Sequence, residues 1–341
     1  TKYGRDAERE SDLYGMRYMS AAGYNPQGAV ELQETFVELS KDRRSDWLSG
    51  LFASHPPSTE RVANNKKTAA TLPDGGELGR DTYMRKTAYL RTMAPAYKAH
   101  DEARKALADD QLEEARSLAS TALKLEPREA LFHALSGDIY AAGDKYGQAE
   151  RAYSAALQRD DGFFYHHLRR GQARYERKKF DSARADLERS LELLPTAQAN
   201  YLLGNMDKLA GNIDSAIKHY QVASQSNSPT GENAQRELAL LDMPNNPGKY
   251  LQAGALLGQN GAVGAAVRNN SPVTVRAIVL KVEYIDDNGQ LRAFSRNIDK
   301  TLQPGEQTAV NTGLSGIPDT NQLARRVRVT VMSAEPVQQG T

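Results

Sequence analysis

Glu8 and Asp12, four residues apart in Glu8-Arg9-Glu10-Ser11-Asp12-Leu13-Tyr14-Gly15, form the sharpest local signal for chemistry. On a helix this spacing turns both carboxylates to one side. Acidic pairs also occur on solvated helices, so the spacing alone assigns no role. His55 stands in Ser54-His55-Pro56-Pro57, where the prolines fix the backbone and present the imidazole on a loop. Its other reading is a local one, capping or packing on a helix over Pro56–Asn65. The remaining histidines are His100, His133, His166, His167 and His219, and no pair forms H-E-x-x-H. That motif gives a helix two zinc-binding imidazoles and a general base. His166 and His167 point about 100° apart on a helix and cannot chelate together, so they are expected at the surface or in a groove. With no cysteine, thiolate metal sites, disulfides and a Cys nucleophile are excluded.

The elements that must position these residues fall in three regions of different periodicity. From Asp6 to Ala22 the chain reads as a helix ended by Gly23, and Asn25-Pro26 starts a second helix that runs to about Lys41. Trp47, the only Trp, is expected to pack against that second helix. Residues 64–80, with Pro73-Asp74-Gly75-Gly76, read as a mobile linker. The 341 residues carry 44 Lys+Arg against 43 Asp+Glu, which removes the bulk electrostatic case for a nucleic-acid or polybasic membrane protein. No apolar run approaches the roughly 18–20 residues that span a bilayer. The chain opens on Thr1-Lys2-Tyr3-Gly4-Arg5 with no Met and no signal-peptide pattern, which reads as a chain whose upstream part is missing.

Residues 96–242 repeat. Ala103, Gly137, Gly171 and Gly204 recur at separations of 34, 34 and 33, each followed twelve positions on by Ala115, Ala149, Ala183 or Ala216. Ala119, Tyr153, Leu187 and Tyr220 come four further on. This resembles the tetratricopeptide repeat, with a period of about 34 residues: four helix pairs closed by a capping helix near 231–241. Such an array binds protein or peptide in a concave groove, here expected to include Asp138, Arg169, Gln172, Tyr175, Tyr201 and Asn205. Basic residues crowd the third repeat at Arg169, Arg170, Arg174, Arg177, Lys178 and Lys179. They read equally as a site for an acidic partner or as a face balanced by neighbouring Asp and Glu. Without aromatic platforms or a basic surplus, nucleic acid is not an expected partner.

Beyond about residue 248 the period becomes two. Segments 260–268, 273–285, 291–298, 306–312 and 326–331 suit six or seven short antiparallel strands, with Asp287-Asn288-Gly289 as a hairpin turn. A small β-sandwich over 248–337 is expected, similar to immunoglobulin-like or FxLYD-type modules.

The string Arg9–Gly15, with Tyr18-Met19, Ala22-Gly23-Tyr24-Asn25-Pro26 and Ser54-His55-Pro56-Pro57-Ser58-Thr59-Glu60-Arg61, resembles the C-terminal part of the HtpX and CAAX-prenyl-endopeptidase type of zinc metallopeptidase (metallopeptidase family forty-eight, BepA-like). The resemblance covers residues 3–67. It implies Glu8 as the third protein ligand to zinc, Asp12 as the carboxylate that orients a ligand His, and His55 near the metal as an extra ligand or gate. Ser11 stands where the family often has Ala. The larger departure is the missing H-E-x-x-H, so this chain alone is expected to bind zinc weakly and to be inactive.

The expected fold is therefore multidomain and mainly α: a partial helical metallopeptidase region with a linker over 1–95, a repeat solenoid over 96–242, and an antiparallel β-sandwich over 248–337. The expected function is the C-terminal portion of an exported zinc metalloendopeptidase whose repeats recruit protein substrates or an envelope complex. The resemblance implies a periplasmic location and a role in envelope protein quality control. The alternative is a non-catalytic repeat scaffold for protein–protein interaction.

Overall fold

The computed structural model describes residues 2–41 and 58–338. The chain divides into two compact units, 1–94 and 95–341.

In the first unit, α1 (Lys2–Ala21) ends where Gly23 takes a left-handed φ of 81°. The Asn25 side chain accepts from the Gln27 amide at 2.9 Å and starts α2 (Gln27–Leu39). Ser58 caps α3 (Thr59–Ala69), its hydroxyl accepting from the Arg61 amide at 3.2 Å. The helix expected over Pro56–Asn65 thus begins later, and its cap is Ser58 rather than His55. The segment read as a linker from residue 64 is ordered: α3 continues to Ala69, and the chain returns to pair Tyr24 with Glu77. Gly76 makes that return possible, because a Cβ there would lie 2.7 Å from the Tyr24 carbonyl carbon. A short α4 (Arg80–Lys86) follows. Met16 and Val30 are fully buried here.

The second unit takes in the end of α5 (Ala88–Ala108), which pairs with α6 (Leu112–Leu125). Then come α7 (Ala130–Ala142) with α8 (Tyr146–Leu157), α9 (Phe164–Glu176) with α10 (Phe180–Leu193), and α11 (Ala197–Leu209) with α12 (Ile213–Ala223). A terminal helix, α13 (Pro229–Asp242), covers the last pair. The repeat period has a packing cause. A Cβ on Gly137 would meet the Tyr153 ring at 2.5 Å, one on Gly204 the Tyr220 ring at 2.7 Å, and one on Gly171 Leu187 at 3.0 Å. In each pair the bulky residue comes sixteen positions after the glycine, so the first helix leaves a gap that the second fills. Ala115, Ala149, Ala183 and Ala216 are fully buried at the same joints.

Six antiparallel strands in two sheets follow: β1 (Leu251–Leu257), β2 (Val263–Asn269), β3 (Val275–Ile285), β4 (Leu291–Ile298), β5 (Gln307–Asn311) and β6 (Val327–Pro336). The orders are β1-β2-β5 and β4-β3-β6, with Val282 opposite Phe294 on one side and Val329 on the other. Strand β1 and a short helix α14 (Thr320–Arg326) ahead of β6 are additions to the sequence-based expectation. The inner faces, with Ala265, Val267, Ile278, Leu280 and Val282, share one core with Ala239 and Met243 from the end of the repeats.

Candidate functional site

Glu8 and Asp12 lie one turn apart on α1, and both face Arg61 on α3. The Arg61 guanidinium grips Asp12 in a fork, Nε to Oδ2 at 2.8 Å and Nη2 to Oδ1 at 2.7 Å. Its third nitrogen stands 3.0 Å from Glu8 Oε2. Arg9, between the two acids, binds Glu60 at 2.5 Å, so the junction carries a second ion pair. The three central side chains are 14–24% exposed, enough shielding for the pairing to matter. The hydrogen bond to Asp12 and the two negative charges, against the cost of burial, hold the Arg61 proton more tightly than usual. Ser58 sets this geometry, because capping there puts Arg61 on the first turn of α3.

Arg61 is the functional residue that the sequence displayed without revealing. It sits in the Ser54–Arg61 string, but its role depends on contacts 49 residues away along the chain. His55 and Trp47 fall outside the described residues.

Glu8 offers one carboxylate that already faces Arg61, and among the described residues no three His, Cys, Asp or Glu side chains come together as a metal site. A catalytic zinc needs three protein ligands. The described residues therefore do not fit a complete zinc centre.

The six expected groove residues lie on the first helices of successive pairs, and hydrogen bonds link Asp138, Arg169 and Gln172. Asp138 accepts from the Tyr153 hydroxyl at 2.7 Å, the Tyr165 hydroxyl at 2.9 Å and Arg169 Nε at 3.0 Å. Arg169 passes a hydrogen bond to Gln172 at 2.7 Å, and Gln198 donates to the same Gln172 oxygen at 3.0 Å. Further along, the Tyr220 hydroxyl donates to Asn205 at 2.7 Å, and Tyr201 packs on the Tyr220 ring. Burial first, then the Asp138 charge, keeps the Tyr153 and Tyr165 hydroxyls protonated far above their ordinary range. A cleft of about 350 Å³ opens over this network, lined by Leu107, Ala141, Ala142, Tyr146 and Tyr165. Its chemistry is mixed: an apolar floor flanked by donors and acceptors that are largely satisfied. It suits an extended segment held by shape and a few hydrogen bonds. Arg169, charge-paired at its base, makes no strong anion trap.

The basic cluster of the third repeat is mostly paired. Arg170 forks onto Asp186 at 2.7 and 2.9 Å, Arg174 bridges Glu150 and Asp186, and Arg177 and Lys179 bind Glu150. The bonds to Glu150 stitch the second repeat to the third, whereas those to Asp186 join the two helices of the third. The histidine expectation is corrected: His166 is 0% and His167 9% exposed, because α9 is packed on both sides. His167 Nε2 reaches the Asp161 carbonyl at 3.0 Å, whereas neither His166 nitrogen has a hydrogen-bond partner among the described residues.

Residues 1–69 match the model of Peptidase family M48, and residues 100–162 and 168–231 match that of the Tetratricopeptide repeat. The chain matches an M48 peptidase segment followed by tetratricopeptide repeats. It is thus a peptidase-related protein with protein-interaction repeats. No curated protein matches it. Similar solved structures include the Arabidopsis OM64 TPR domain, at 23% identity and TM-score 0.34, covering 35% of this chain and 98% of that one. The Sgt2 TPR domain from Aspergillus fumigatus is 20% identical with TM-score 0.34, over 36% and 85% of the two chains. The second TPR domain of human RPAP3, solved in complex with an HSP70 peptide, is 25% identical with TM-score 0.33, over 34% and 98%. No helix among the described residues is long and apolar enough to cross a membrane.

Proposed function

We propose that this chain is the C-terminal portion of an exported zinc-dependent metalloendopeptidase, in which Glu8 is a metal ligand and the repeat groove holds an extended segment of a substrate or partner protein. The observation that carries this reading is the junction of Glu8 and Asp12 with Arg61, inside the stretch that matches a peptidase family. Arg61 fixes the spacing of the two carboxylates and turns both to one side of α1, as a metal ligand and its orienting partner require. The two imidazoles and the general base must come from an H-E-x-x-H that this chain lacks, so the chain alone is inactive. The resemblance to periplasmic relatives supports a periplasmic location and a part in envelope protein quality control.

A second reading, a non-catalytic interaction scaffold, is favoured by the ion pair that already engages Glu8. Comparing the purified chain with the whole gene product separates the two. The peptidase reading expects casein cleavage that a chelator stops in the whole product and none in the chain. Absence of cleavage in both supports the scaffold.

A further inference from the structure

Glu150 on α8 is 13% exposed and receives Arg174, Arg177 and Lys179. Asp186 takes Arg170 and shares Arg174. Four cations are therefore satisfied by two carboxylates, leaving two positive charges uncompensated at the seam between the second and third repeats. The excess has a place to act. A pocket of about 320 Å³ opens beside it, lined by Arg151, Ser154, Gln158, Arg177 and Lys179. Glu150 is the one acid among the described residues that line it. Arg151 is exposed and finds no ion-pair partner among the described residues, and Arg177 and Lys179 keep 37% and 44% of their side chains open to solvent. The field is strong enough to hold the Glu150 carboxyl below its ordinary range against the opposing effect of burial, through the Lys179 and Arg174 bonds.

We infer that this pocket is a second docking surface, which takes an acidic segment of a partner protein through Arg151, Arg177 and Lys179. It is lined from α8 and from the turn after α9, apart from the groove residues, so its failure would leave the groove reading untouched. Three observations select the occupant. Arg151, Arg177 and Lys179 share the lining of one pocket, a footprint for a few carboxylates rather than for a bilayer. No aromatic ring among the described residues lines it on which a nucleic-acid base could stack. Finally, the chain's net charge of +1 supplies no wider attraction for a polyanion.

The test is fluorescence anisotropy of a labelled oligoglutamate peptide with the purified chain. Binding should be saturable at low ionic strength and weaken on addition of salt. Arg151→Gln combined with Lys179→Gln should weaken it about tenfold, the loss expected for two steering charges. Arg151→Glu alone, at a position with no internal partner, should weaken it at least as much without moving the melting temperature. Lys218→Gln, an exposed cation on α12, should change nothing. Equal binding by wild type and Arg151→Glu would overturn the proposal. So would no peptide binding at low salt, or preferential binding of anionic phospholipid vesicles or single-stranded RNA that is lost in Arg151→Glu.

Discussion

Arg61 reaches from the first turn of α3 to hold Asp12 by two hydrogen bonds of 2.7 and 2.8 Å, while its remaining nitrogen faces Glu8 at 3.0 Å. The pairing makes the guanidinium fork, and not merely a positive charge, the joining element. Arg61→Lys should lose the two-pronged contact and loosen α1 against α3, and Arg61→Ala should cost more, about 1–3 kcal/mol, because two neighbouring carboxylates are left facing each other. Amide hydrogen exchange over α1 reads this directly. Unchanged protection in Arg61→Ala would show that the junction does not hold the helices together.

Gly137 and Tyr153 test the repeat register. Gly137→Ala drives a methyl into a buried ring 2.5 Å away and should cost about 1–3 kcal/mol. Ala183→Leu, at a fully buried joint, should cost a similar amount. Gly143→Ala, whose new Cβ meets ordinary contacts at 3.7 Å, serves as the mild control. A thermal midpoint that is insensitive to the first two would contradict the assigned packing.

Asp138 is the hub of the groove network. Asp138→Asn removes the charge that faces Arg169 and should destabilise the repeats by about 2–4 kcal/mol, measured by urea denaturation. The same bonding means that Arg169→Ala is no clean probe of binding. Ala142→Arg, at an exposed position in the cleft wall, is the better one. It should abolish capture of an extended peptide with the melting temperature retained.

The buried His166 predicts the response to acid. Burial, chiefly, lowers its pKa below the ordinary 6.5, and Asp160 only partly offsets this. The unfolded chain therefore takes up the proton first. The stability tied to neutral His166 is fully present above about pH 6.5 and is lost as pH falls below it. His133 and His219 shift in the same direction, again mainly through burial. Melting temperature should fall between pH 7 and pH 5, and more shallowly in His166→Phe. A rise on acidification would contradict this account.

What the sequence disclosed depended on the range of the interaction. The repeat was legible because each glycine and the bulky residue that fills its gap are sixteen residues apart and recur in phase. The Glu8–Asp12 pair was legible because one helical turn suffices to align it. Arg61 was not, since its partner Asp12 lies 49 residues away. Arg170 and Arg174 stand only 16 and 12 residues from Asp186, but that pairing recurs in no other repeat, so no period announces it. His166 misled because adjacent histidines look polar, whereas a helix packed on both sides buries them. Strand β1 escaped notice because Leu251-Gln252-Ala253-Gly254-Ala255 has little β-propensity and is held by its pairing with β2.

The central claim is that Glu8 is a zinc ligand of a metallopeptidase. Zinc content of the whole gene product, measured by metal analysis after dialysis for wild type and Glu8→Gln, tests it most directly. The account predicts one zinc per wild-type chain and a loss of most of it in Glu8→Gln, with Arg61 still paired to Asp12. Equal zinc in both proteins would contradict it.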